Sequence, residues 1–296
     1  MLFFWSVLIM KLKFLTAILV STISMTAFAN DTHSTPIKTT PLNDSVYMLE
    51  GQGGNIAVIE NDNALYVVDT QFTNIYADIK SEIGKISPKP VRYVINTHGH
   101  NDHTGGNASF VKDFNATIIA HHNTSDLITA YNQNNATPNT LPHLTFDKSL
   151  KLAGDEPIHL MYFANAHTNG DIIVHLPKSN IIHAGDILFF GRFPFIDVKN
   201  GGTIDGMIKG LNGIIVLAND NTKIIAGHGN LASRSELITH TKMLNTIRSR
   251  VAKQKRQGKT LAQIQASRPA KEWESSHNWN FINSEKLVES IYQSLK

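Results

Sequence analysis

The chain has 296 residues, 42% of them hydrophobic and 17% charged, with 27 basic side chains against 24 acidic ones and no cysteine. Such a composition supports one large globular core, and a net charge of +3 gives no electrostatic footprint for nucleic acid. Without cysteine neither a disulfide framework nor a thiolate metal site can form, so any metal must be held by His, Asp or Glu.

The N-terminus reads as a targeting segment. From Met10 the chain shows a short basic region (Lys11, Lys13), an apolar stretch from Phe14 onward, and Ala27-Phe28-Ala29 as a small-residue cleavage site. Met10 is therefore the expected true start, and residues 1–29 are expected to leave by cleavage after Ala29. The lysines interrupt the apolar run and leave it short for a membrane span. Periplasmic or secreted localisation follows as an expectation, with no stable membrane insertion after cleavage. Removing residues 1–29 takes the net charge from +3 to +1.

A polar leader is expected over 30–41 and one domain over 42–296. Three strands come first, VYMLEG (46–51), NIAVIEN (55–61) and ALYVVDT (64–70), separated by Gly and Asn-Asp-Asn turns. IYADIKSEIGKI (75–86) has helical spacing, and Pro88 and Pro90 stop it. VRYVIN (91–96) is a strand, ASFVKDF (108–114) a helix and ATIIAH (116–121) a strand. The second half repeats the alternation: strands near IHLMYF (158–163), DIIVHL (171–176), NIIHAG (180–185) and KIIAG (223–227), a helix over 204–218, and a long helix from a Ser233–Glu236 capping box. The basic run RSRVAKQKRQGK (248–259) lies on that last helix and reads as its solvated face. Strand-rich stretches alternating with helices predict an α/β protein with two sheets covered by helices.

The chemistry concentrates in THGHNDHTGG (97–106), directly after the strand VRYVIN. His98 and His100 are two apart in an extended segment and point the same way; Asp102 and His103 follow at a turn. Two such pairs suggest two metals rather than one. Further candidates occupy the same register, just past an apolar strand: His167 after IHLMYF, Asp186 after NIIHAG, and His228 between Gly227 and Gly229 after KIIAG. The other nine histidines, including His240 and His277, read as ordinary core or surface residues. Asp69, ending ALYVVD, either orients a metal ligand or caps a turn.

HGHNDH with a downstream His, an Asp after a Gly and a late Gly-His resembles the metallo-β-lactamase superfamily across essentially the whole mature chain. The resemblance implies a four-layer αββα sandwich. It implies one zinc on His98, His100 and His167, a second on Asp102, His103 and His228, and Asp186 bridging both. Two Zn²⁺ are thus the expected cofactors; iron and manganese also accept His and Asp, but His100 stands where redox di-iron relatives carry a carboxylate. Zinc lowers the pKa of its water to about 7, so the expected reaction is hydrolysis by metal-bound hydroxide, with Asp102 orienting it. GGN, VVDT and INTH resemble class B β-lactamases. Those enzymes, however, carry Cys or Ser where this chain has Asp186, and an aspartate there is similar to thioesterases and lactonases. Export argues against the thioesterase. The expected substrate is a small molecule with a cyclic amide or ester, of β-lactam or lactone type; the alternative is a non-catalytic periplasmic binding protein on the same fold. In FFGRFPFID (189–197) Phe190, Phe193 and Phe195 are candidate walls of the substrate pocket and Arg192 a partner for a substrate carboxylate; the competing reading is a buried strand. No oligomeric state follows from the sequence.

Overall fold

A computed structural model describes residues 36–134 and 138–295. The expected signal segment, its cleavage site and the first half of the polar leader lie outside the described residues. In chain order the elements are β1 (Lys38–Pro41), β2 (Val46–Glu50), β3 (Ile56–Asn61), β4 (Ala64–Val68), α1 (Tyr76–Ile86), β5 (Val91–Ile95), α2 (Asn101–Thr104), α3 (Asn107–Phe114), β6 (Thr117–His121), α4 (Thr124–Gln133), β7 (Leu144–Phe146), β8 (Ser149–Leu152), β9 (Ile158–Tyr162), β10 (Ile172–Leu176), β11 (Ile181–His183), α5 (Ile204–Leu217), β12 (Lys223–Ile225), α6 (Arg234–Arg256), α7 (Leu261–Ala266), α8 (Glu274–His277) and α9 (Ser284–Ser294).

Strands β1 to β7 form one sheet in sequence order; β8 to β12 form a second, in reverse order. Strand alternation distributes their side chains between three cores. Val46, Met48, Ala57, Ile59 and Val68 of the first sheet face Ile172, Val174, Ile181 and Ile225 of the second. The intervening residues Leu49, Ile56, Val58, Leu65 and Val67 turn outward under Ile79 and Ile83 of α1 and Phe110 of α3. On the far side Ile173, Ile182 and Ile224 pack beneath Met207 and Leu211 of α5, Leu244 and Ile247 of α6 and Ile291 of α9. These layers are the expected αββα sandwich.

One boundary differs. Lys38–Pro41, assigned to the polar leader, pairs antiparallel with β2 as an edge strand. Its partner, rather than its own pattern, makes it a strand. The Ser233 cap is present: its hydroxyl accepts from Glu236 N while Glu236 accepts from Ser233 N. No helix among the described residues is long and apolar enough to cross a membrane.

Inside α6, His240 is 5% exposed and its Nε2 has no hydrogen-bond partner among the described residues. Burial, with the His277 ring centroid 6.1 Å away, pushes its pKa down to about 3 from an ordinary 6.5. The unfolded chain therefore binds a proton there that the fold rejects. The stability contribution is complete above pH 6.5 and declines as pH falls toward 3. His240→Leu should flatten the loss of urea midpoint between pH 7 and 4; curves parallel to wild type would show that another group governs it.

Candidate metal centre

Strands β9 and β11 run in the same direction, because each pairs antiparallel with β10, and β12 runs parallel to β11. Their C-terminal ends therefore share an edge, and the loops beyond them carry His167, Asp186 and His228. Strand β5 runs parallel to β4 and its end delivers His98 and His100. Two backbone bonds join the sheets here: Ile172 N donates to Thr97 O (2.8 Å) and Asn55 N to Gly227 O (2.7 Å). Gly227 has no room for a side chain, since a Cβ would collide with Asp186 Oδ1.

The seven candidate ligands meet at one place. His98, His100, His167 and Asp186 form one group and Asp102, His103 and His228 a second, each with ligand atoms within 4.8 Å of one another. His100 Nδ1 lies 3.0 Å from His98 Nε2 and 2.8 Å from His167 Nε2. His228 Nε2 lies 3.2 Å from Asp102 Oδ2 and 3.4 Å from His103 Nε2. Asp186 touches both groups: its Oδ2 is 3.5 Å from His167 Nε2 and 3.5 Å from His228 Nε2, and its Oδ1 is 3.1 Å from His103 Nε2.

The outer ring nitrogens decide what the inner ones carry. His167 Nδ1 donates to Phe195 O (2.7 Å), His100 Nε2 to Asp197 Oδ2 (2.9 Å) and His103 Nδ1 to Asp69 Oδ2 (2.7 Å). The Thr97 hydroxyl gives its proton to Asp69 Oδ2 (2.7 Å) and so accepts from His98 Nδ1 at 3.1 Å. A neutral imidazole holds one proton, which leaves the inner nitrogens of His98, His100 and His167 with bare lone pairs. Lone pairs 2.8–3.0 Å apart repel unless a cation lies between them. Asp186 Oδ1, buried and without a hydrogen-bond partner, makes the same demand. These residues fit a divalent metal.

The charges agree. Burial pushes His98 well below its usual range and His167 down to about 4, so both remain neutral donors. On the other side burial also opposes protonation, but Asp186 and Asp102 outweigh it and raise His228 to about 9; the same carboxylates, with Asp69, hold His103 well above its usual range. Protons there occupy positions that a metal cation would take.

A cavity of about 640 Å³ opens over the centre. His100, Asp102, Asp186 and His228 lie at its base, and Phe189, Arg192, Phe195, Trp279 and Phe281 form one wall. Arg192 and Phe195 thus stand where the sequence suggests. Phe193 does not: it is fully buried in the core under the second sheet, and its backbone bonds His277 O (2.8 Å) and Trp279 Nε1 (2.8 Å). Phe190 lines a separate cavity beside His240. The stretch is neither strand nor helix at Phe193–Phe195, because Gly191 has φ +74° and Pro194 follows.

Asp69 underlies both groups of ligands, bonding His103 directly and His98 through Thr97. Sequence reasoning missed Asp197, which holds His100; it also missed Phe189, Trp279 and Phe281. A signal for Asp197 existed, since every ligand histidine needs an acceptor for its outer N–H. Trp279 and Phe281 follow the last ligand by some fifty residues and carry no such signal.

A four-layer αββα sandwich that gathers five histidines and two aspartates at the loop ends of its sheets is a metal-binding scaffold. The chain belongs to the metallo-beta-lactamase superfamily, whose family model matches residues 49–228. Among curated proteins it is 30% identical over 137 residues to a hydroxyacylglutathione hydrolase of Rhizobium meliloti (46% of this chain, 47% of that protein). It is 27% identical over 155 residues to the alpha subunit of a 2,4-dinitroanisole O-demethylase of Nocardioides sp. (52% and 47%). The chain therefore spans about half the length of these relatives. Among solved structures, the DIM-1 metallo-beta-lactamase superposes with a TM-score of 0.60 at 19% identity, over 71% of this chain and 97% of that one. A sec-alkylsulfatase from Pseudomonas sp. does so with a TM-score of 0.66 at 16% identity, over 87% and 50%. At these identities the structural likeness concerns the fold.

Proposed function

We propose that the chain is an exported dinuclear zinc hydrolase that opens esters and lactones. The observation that carries this reading is the set of bare imidazole lone pairs and the orphaned Asp186 oxygen, converging at the base of an open cavity. His98, His100 and His167 would hold one ion, Asp102, His103 and His228 the other, and Asp186 both. Metal ions held there supply Lewis acidity and bring the pKa of water to about 7.

The chain's own residues do the rest. The cavity wall contains no Ser, Thr, Cys or Lys among the described residues, which favours water as the nucleophile. Asp102 opens to the cavity, and His103 and His228 outweigh its burial and hold it ionised, at about 2. Its carboxylate at the base of the cavity is placed to orient the hydrogen of an attacking water. Asp197, Asp69 and the Phe195 carbonyl fix the imidazole rings in the one orientation that keeps their donors pointed inward.

Asp186 supports esters over β-lactams. A carboxylate between two metals adds negative charge where an expelled amide nitrogen needs an electron-poor partner. The named relatives broaden the panel to a thioester and an alkyl sulfate. The test is turnover of lactones, aryl esters, a thioester, an alkyl sulfate, a penicillin and a carbapenem by zinc-loaded protein, with Asp186→Cys alongside. Chelator-sensitive turnover of esters and lactones is expected. Carbapenem hydrolysis near 10⁷–10⁸ M⁻¹s⁻¹, about the diffusional range, would overturn the charge argument. Two bound metals with no turnover at all would favour the binding-protein reading. Export is tested by sequencing the mature N-terminus, expected at Asn30.

A further inference from the structure

Part of the cavity wall beside the metal ligands is built by a segment beyond the family match. Residues 277–282 dock on the 189–195 loop through Phe193 N to His277 O (2.8 Å) and Trp279 Nε1 to Phe193 O (2.8 Å). The Trp279 backbone N also bonds Ile282 O at 3.1 Å, so the residue is held through both its backbone and its indole. The result is a box of rings: Phe281 meets Phe195 edge-on at 5.2 Å and Trp279 at 5.6 Å, and Phe189 lies 6.2 Å from Trp279. Phe195 stacks on His100 at 5.9 Å, which puts the box directly beside the metal centre. Phe281 is 51% exposed, so the box is open to solvent on that side.

An aromatic box takes either a cation or another ring. Here cations already occupy its faces. Arg192 lies over Trp279 at 5.0 Å and Lys286 Nζ over Phe281 at 5.7 Å. Arg192 is half-buried and, among the described residues, has no carboxylate within ion-pair distance. A cationic ligand would be repelled by both groups. A ring with an attached anion would fill the box and pair the guanidinium at once.

We infer that residues 277–282 form a specificity element, and that the Trp279–Phe281–Phe195 box and Arg192 select small organic anions bearing an aryl ring. This rests on the cavity being the substrate site proposed above. It names the substrate class that the metal centre would meet.

Binding separates the inference from turnover. Zinc-loaded protein is titrated calorimetrically with 2-naphthalenesulfonate, hexane-1-sulfonate, 2-naphthol and phenyltrimethylammonium; a sulfonate is a poor zinc ligand, so the readout is the wall and not the metal. Trp279 makes a structural hydrogen bond, so the half-exposed Phe281 carries the test. 2-Naphthalenesulfonate should bind about 10-fold or more tighter than the other three probes. Phe281→Ala should remove its advantage over hexane-1-sulfonate, and Arg192→Met its advantage over 2-naphthol. Preference for the ammonium, no preference between the two sulfonates, or indifference to both substitutions would each overturn the inference. Box-dependent binding with no ester turnover would sink the hydrolase reading alone. Ester turnover with no ring preference would sink the specificity element alone.

Discussion

His100→Ala should abolish one metal site and lower kcat/KM by on the order of 10³-fold or more, beyond the loss of a single transition-state hydrogen bond. His100 Nδ1 is the atom shared by the close contacts to His98 and His167, so its removal leaves that ion two imidazoles and one carboxylate oxygen. Asp186→Ala should behave differently. Each group keeps three ligands, so metal content should fall only in part, with the ion at Asp102, His103 and His228 the weaker. Asp197→Asn supplies a graded comparison: it keeps an acceptor for His100 Nε2 but loses the charge, and should cost about 10–100-fold in metal affinity or activity. Elemental analysis and kcat/KM on the same preparations check all three. Full metal retention in both His100→Ala and Asp186→Ala would show that these residues are not ligands.

Stripping the metals should also destabilise the fold. The centre buries His98, His103 and His167 completely and Asp186 almost so, where they face one another's lone pairs and charges. A cation that binds only the folded chain stabilises it by about 4 kcal/mol at a thousand-fold excess over its Kd. For a domain of this size that corresponds to roughly 8–16 °C in Tm. Calorimetry before and after dipicolinate, with zinc restored afterwards, measures it. A Tm that chelation leaves unchanged would mean that the convergent histidines are satisfied without metal.

The parts of this arrangement differ in how strongly the sequence signals them. The ligands are legible because each follows an apolar strand, and strand alternation together with the shared register places them at one edge. The inner strands are legible for the same reason: in β3, Ile56 and Val58 face one core while Ala57 and Ile59 face the other. Strands β1, β7 and β8 are not. They are three or four residues long, largely exposed, and become strands only by pairing with a neighbour. Helix α4 has few apolar positions and no side-chain cap, so its local signal is weak. The FFGRFPFID stretch is recognisable as a pocket wall but not ring by ring. Which of its phenylalanines faces substrate depends on the docking of residues 277–282, a tertiary contact between segments some ninety residues apart.

The central claim is that two ions share this centre. Crystals of zinc-loaded protein, measured above and below the zinc absorption edge, test it most directly. Two anomalous peaks are predicted, one among His98, His100 and His167 and the other among Asp102, His103 and His228, with the Asp186 carboxylate between them. A single peak, or none, with zinc in excess would contradict the account.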